Sequence, residues 1–104
     1  MAYDSENIFA KILRGEAPAV KVFEDEFALA FMDVMPQIDG HTLVIPKDDA
    51  ETILDVDPEI LGKTARTVQV VGAAVQAAFA APGFMVAQLN GSAAGQTVPH
   101  LHFH

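Results

Sequence analysis

The sequence contains no cysteine, which excludes disulfides and thiolate metal sites. Basic residues are scarce, six Lys and Arg against fourteen Asp and Glu, for a net charge of −8. A protein that grips a nucleic-acid backbone needs a basic stripe, and no window supplies one, so nucleic acid is not an expected partner. An anionic ligand would have to be small and held by local donors, because bulk charge repels it. Long apolar runs are also missing. The chain is 51% hydrophobic, yet no uncharged apolar run reaches the roughly 18–20 residues that a membrane span requires. The acidic start, Met1-Ala2-Tyr3-Asp4-Ser5-Glu6, has neither the basic nor the apolar region of a signal peptide. These absences predict a cytoplasmic protein with no membrane partner. There is no internal repeat, low-complexity tract or linker, so residues 1–104 read as one domain.

Periodicity supplies the elements. Ile8, Phe9, Ile12 and Leu13 recur at helical spacing, with Asp4 or Ser5 as N-cap and Gly15 as the stop. Val20–Phe23 and Phe27–Phe31 read as strands joined by the acidic turn Glu24-Asp25-Glu26, and Pro36 to Gly40 as a loop. His41–Ile45 is an apolar run ended by Pro46, as in a strand covered on both faces. Asp57-Pro58 gives an N-cap and a first-turn proline for a long helix carrying Leu61, Ala65, Val68, Val71, Val75, Ala78 and Phe79, closed by Pro82-Gly83. Gly83–Leu89 and Val98–His104 supply a fourth and a fifth strand. One long helix cannot cross over between five parallel strands. The predicted fold is therefore α+β, a five-stranded antiparallel sheet with one long and one short helix on one face.

What the chain does have is histidine in a pattern. It ends His100-Leu101-His102-Phe103-His104. Strand side chains alternate, so three imidazoles share one face, backed by Leu101 and Phe103 on the other. Imidazole titrates near ~6.5 and can serve as nucleophile, acid, base or metal ligand. A tag remnant would be uninterrupted histidine. A metal site would want carboxylate or thiolate company, which the row lacks, so no metal is expected. The small, Gly-rich segment Asn90–Thr97 suits a loop whose N–H groups approach an anion, favouring a nucleophilic histidine. Gly62-Lys63-Thr64 has the ending of a phosphate loop, but Asp57 occupies the required first glycine position. By pattern alone Asp33 is a turn carboxylate, His41 a structural histidine, and Phe9, Ile12 and Phe31 core residues or walls of a base pocket.

Together these residues resemble the histidine triad family. Gly95-Gln96-Thr97-Val98-Pro99-His100-Leu101-His102-Phe103-His104 is similar to its signature. Asn7-Ile8-Phe9-Ala10-Lys11-Ile12, Phe23-Glu24-Asp25, Leu29-Ala30-Phe31-Met32-Asp33 and His41-Thr42-Leu43-Val44-Ile45-Pro46-Lys47 resemble its Hint-like branch in order and spacing. The resemblance implies a domain that pairs as a homodimer into a continuous sheet. It implies hydrolysis of nucleoside 5′-phosphoramidates or adenylated compounds at the α-phosphorus, without a cofactor. Dinucleoside polyphosphate hydrolysis and a purine-nucleotide-binding module with little turnover are the alternatives. His102 matches the nucleophile, His100 the residue that orients it, His104 the residue facing phosphate oxygens, and His41 an additional active-site histidine. Asp33 falls where the family holds ribose hydroxyls, and Phe9, Ile12, Phe31 and Val34 where it encloses the base. Asn90, Gly95, Gln96 and Thr97 match the loop at the phosphate and leaving group. The family continues past the third histidine with a strand end and tail, whereas this sequence stops at His104, so His104 is expected to be the least anchored of the row.

Overall fold

The computed structural model describes residues 3–33 and 41–104. The expected loop from Pro36 to Gly40 and the expected base contact Val34 lie outside the described residues. The chain runs through α1 (Ile8–Leu13), β1 (Lys21–Glu24), β2 (Ala28–Met32), β3 (Thr42–Pro46), α2 (Pro58–Ala78) and a 3-10 turn at Ser92–Ala94.

Asn7, not Asp4 or Ser5, caps α1, its side chain accepting the Ala10 N–H at 2.8 Å. At the other end the Glu16 N–H bonds Lys11 O at 2.8 Å and the Gly15 N–H bonds Ile12 O at 3.1 Å. That reversal needs a left-handed residue, and Gly15 supplies it at φ +78°. Helix α2 begins as expected, with Asp57 accepting from the Glu59 N–H at 2.8 Å. Its end differs from the expectation at Pro82-Gly83. The helix stops at Ala78, and the same reversal follows, with Ala81 N–H to Gln76 O at 3.0 Å and Ala80 N–H to Ala77 O at 3.3 Å. Here Ala80 takes the left-handed position, at φ 49°.

Strands pair antiparallel in the order β1-β2-β3, with Leu29 opposite Ile45, Ala30 opposite Val44 and Phe31 opposite Leu43. The described residues thus form a three-stranded sheet, not the expected five. Phe103 makes single antiparallel bridges to Val44 on one side and Gln88 on the other, at the places of the missing strands. The reason lies in the backbone donors upstream. Pro99 has none, the His100 N–H turns back to Val98 O at 2.9 Å, and the Leu101 N–H goes to Ala50 O at 2.8 Å. Only Phe103 and His104 are left to pair, with Val44 and Ala87 respectively.

The helices take opposite faces of the sheet, which corrects the one-face arrangement. Phe9 and Ile12 of α1 pack on Leu29, Phe31, Leu43 and Ile45. Val71 of α2 packs on Ala28, Ala30 and Val44, whose alanines let the helix approach closely. The buried positions of α2 are Thr64, Thr67 and Val71, whereas the expected Ala65, Ala78 and Phe79 are exposed. The threonines go inside because their hydroxyls are satisfied. Thr64 donates to Ile60 O at 2.8 Å, and Thr67 donates to the Asp25 carboxylate at 2.6 Å. Asp25 also accepts the Phe27 and Ala28 N–H groups, which shapes the β1–β2 turn.

Candidate active site

The alternation read from the terminal segment is present. Leu101 packs with Ala50 and Val56 and Phe103 against the α2 face, while the His100 and His102 rings lie beside Phe9 of α1. The Phe9 ring is 5.0 Å from that of His102 and 6.4 Å from that of His100, both edge-on.

His100 is fully buried. Its Nε2 lies 2.9 Å from Pro46 O, and a carbonyl only accepts, so Nε2 carries the proton. Its Nδ1 faces the Tyr3 hydroxyl. His102 Nδ1 lies 2.7 Å from the backbone oxygen of His100. By the same reasoning Nδ1 carries the proton, which leaves the Nε2 lone pair of His102 without a hydrogen bond among the described residues. His100 therefore orients His102 through its carbonyl rather than through its ring.

The third histidine is held more firmly than the sequence suggests. The His104 N–H and C=O both pair with Ala87, at 2.7 and 3.2 Å. Its Nδ1 is 3.0 Å from His41 Nε2, and His41 Nδ1 is 3.2 Å from Asp33 Oδ2. The His102 and His104 rings are 4.9 Å apart. A chain of contacts thus runs from Asp33 at the end of β2, through His41 at the head of β3, to the row.

Burial pushes the His100 and His102 imidazoles below their ordinary value, as it does His104, on which its neighbours His102 and His41 act in the same direction. All three are neutral at neutral pH, the state in which imidazole is a nucleophile or a hydrogen-bond partner.

The other expected residues divide. Phe9, Ile12 and Phe31 are core residues, and of them Phe9 also touches His102. Asn90 and Gln96 spend their amides on the scaffold. Asn90 accepts the Ile53 N–H at 2.8 Å and exchanges hydrogen bonds with Gln88. Gln96 accepts the Gly91 N–H at 2.7 Å and donates to Glu51 O at 2.7 Å and Val98 O at 2.9 Å. Gly95, at φ +101°, makes the turn that Gln96 closes, and Thr97 is exposed. Sequence reasoning missed Tyr3, Asn7 and the Pro46 carbonyl. Only the i, i+4 spacing of Tyr3 and Asn7 could have signalled their pairing.

A row of neutral imidazoles at the rim of an α+β sheet defines a histidine-based site. The HIT domain family model matches residues 14–104, and the chain belongs to that family. It is 44% identical to an uncharacterised 13.2 kDa HIT-like protein of Azospirillum brasilense, over 98% of this chain and 85% of the relative. It is 35% identical to the adenylylsulfatase HINT3 of Arabidopsis thaliana, over 93% of this chain but 49% of that protein. The crystal structure of a Hit-like protein involved in cell-cycle regulation from Bartonella henselae, with an unknown ligand, superimposes with a TM-score of 0.97 at 53% identity. That match covers 99% of this chain and 80% of the other.

Proposed function

We propose that this chain hydrolyses nucleoside 5′-phosphoramidates or related adenylated compounds at the α-phosphorus, through a covalent nucleotidyl-His102 intermediate. The observation that carries the reading is the 2.7 Å contact from His102 Nδ1 to His100 O, which leaves Nε2 as a neutral lone pair beside two further imidazoles. Membership of the HIT family and the likeness to an adenylylsulfatase support a nucleotide substrate.

In this scheme Nε2 attacks phosphorus as the bond to the leaving group breaks, the leaving group taking the electron pair and, when it is an amine, a proton from solvent. Positive charge grows on the His102 ring, and the hydrogen bond from Nδ1 to His100 O strengthens against it. Water then attacks phosphorus, the P–N bond breaks, the lone pair returns to Nε2, and the proton lost by the water passes to solvent. His104 faces the phosphate oxygens, with one proton shared between its Nδ1 and His41 Nε2. Asp33 fixes His41 and takes the ribose hydroxyls. Phe9 stands at the wall nearest the base.

The test is rapid quenching with a slow adenosine phosphoramidate. The chain should gain the mass of one nucleoside monophosphate, and His102→Ala should remove the adduct while changing nucleotide affinity much less. A wild-type chain that never gains that mass under turnover would sink the covalent scheme. A diadenosine polyphosphate run alongside separates the phosphoramidase reading from the polyphosphate hydrolase one.

We also propose a homodimer. The segment containing Gln88 lies outermost beside Phe103, and Phe84, Met85 and Val86 just before it are exposed, Met85 to 82%. With Phe79 and Phe103 they line an apolar cavity of about 360 Å³ against α2, which reaches His41 and His104 but not His102. A second copy covering that edge would extend the sheet.

A further inference from the structure

Tyr3 is the only tyrosine in the chain, and it lies 97 residues from the imidazole it contacts. Its hydroxyl meets His100 Nδ1 and also receives the Asn7 side-chain N–H, from Nδ2 at 2.8 Å. Its ring stands edge-on to His100, with centroids 5.5 Å apart. Asn7 is fully employed. Its Oδ1 caps α1 through the Ala10 N–H, and its Nδ2 also reaches Asp4 O at 2.7 Å.

The direction of each proton follows from the partners. Pro46 O can only accept, so the His100 proton sits on Nε2 and Nδ1 presents a bare lone pair. Asn7 donates into the Tyr3 oxygen, so the phenol proton is turned to His100. Burial holds the phenol above its ordinary range, and the O–H keeps its proton at neutral pH. His100 is thereby clamped at both ring nitrogens and at its backbone N–H, which bonds Val98 O at 2.9 Å. The remaining polar group of this residue is the carbonyl that receives His102 Nδ1.

We infer that Tyr3 is a positioning residue of the active site, its hydroxyl fixing the His100 ring and, through it, the carbonyl that aims His102. The inference rests on the proposed role of His102 as nucleophile. It differs from a purely structural role because the hydroxyl bears on the nucleophile's own hydrogen bond. Loss of that single O–H should slow the covalent step more than it weakens nucleotide binding.

Tyr3→Phe removes the O–H and keeps the ring. We expect kcat to fall about tenfold, the value of one ordinary hydrogen bond. KM should stay within about twofold. In nitrogen-15 spectra of the histidine side chains, the His100 Nδ1 resonance should move downfield, to the position of an acceptor without a donor. The His102 Nδ1–H proton resonance should broaden as its carbonyl loosens. An unchanged kcat with a lowered thermal midpoint would make the contact merely structural and overturn the inference. An unmoved His100 Nδ1 resonance would remove the hydrogen bond itself. Should the wild-type chain form no nucleotidyl adduct, the proposed function fails, and the His102 Nδ1–H resonance in Tyr3→Phe then decides the positioning role alone. A sharp, unshifted resonance rejects it.

Discussion

His41 Nε2 and His104 Nδ1 lie 3.0 Å apart, bridging the head of β3 and the last residue of the histidine row. Two nitrogens at that distance hold one proton between them. The His41 Nδ1 contact with Asp33 makes that nitrogen a donor, so in a neutral His41 ring Nε2 accepts and the shared proton belongs to His104 Nδ1. With the proton on His104, Nε2 is an acceptor. Uptake of one further proton from solvent by the pair turns that outer nitrogen of His104 into an N–H that can meet a phosphate oxygen.

Asp33→Asn tests this arrangement. It retains the size of the side chain but removes the charge facing His41, and we expect kcat to fall roughly ten- to hundredfold, the scale of one charge-assisted hydrogen bond. If Asp33 also holds the ribose, Asp33→Ala should weaken binding of a ribonucleotide more than that of its 2′-deoxy counterpart. Equal weakening of the two would confine Asp33 to His41.

Acid should unfold the chain earlier than its carboxylates require. The folded state lowers the affinity of His100, His102 and His104 for protons, chiefly by burial. Unfolded imidazoles bind protons from about pH 6.5 downward, so stability is complete above that value and lost as pH falls through the depressed folded values. Asp55, held low by the Glu51 and Thr52 N–H groups, adds its share only below about pH 4. Urea midpoints should therefore drop as pH falls from about 6.5 toward the depressed histidine values. A flat profile across that interval would contradict the burial of the row.

Ala80→Gly should stabilise the protein. The reversal that ends α1 on Gly15 is repeated after α2 on Ala80, at φ 49°. A left-handed alanine costs roughly 1–2 kcal/mol, part of which glycine returns as chain entropy, leaving a gain of about 0.5–1 kcal/mol. Equilibrium urea unfolding measures it, and a loss of stability would show that the cap is not strained.

Met85→Glu probes the exposed edge. A charge there should block burial against a second copy, so sedimentation should show a dimer for the wild-type chain and a monomer for the variant. An identical mass for both chains would remove this edge as the interface.

Much of the site was legible because period two is unambiguous over His100–His104, and an apolar run closed by a proline marks β3 clearly. Asp57-Pro58 announced α2 for an equally local reason. What was not legible depends on where backbone groups find partners. Nothing in Val98–Leu101 says that the Leu101 N–H will bond Ala50 O, yet that bond withholds a strand. Thr64 and Thr67 look like solvent positions until Ile60 O and Asp25 are placed beneath their hydroxyls. The opposite placement of the helices was readable in hindsight. Small Ala28 and Ala30 alternate with large Leu29 and Phe31, two surfaces of different depth suited to different partners.

Gln96→Ala should free the loop before the histidine row. It removes three hydrogen bonds from a buried side chain, at a cost of about 1–3 kcal/mol. We expect a higher KM for nucleotide with a smaller change in kcat. A KM equal to that of the wild-type chain would mean that the loop takes no part in binding.

The Gln96 side chain joins three stretches of chain at once, the loop at Gly91, the segment leading to α2 at Glu51, and the entry to the histidines at Val98. The loop's freedom is therefore surrendered during folding, when the core supplies the driving force, and not when a ligand arrives. If the loop receives the phosphate as proposed, its amides are already placed, and more of each contact's strength is expressed as affinity.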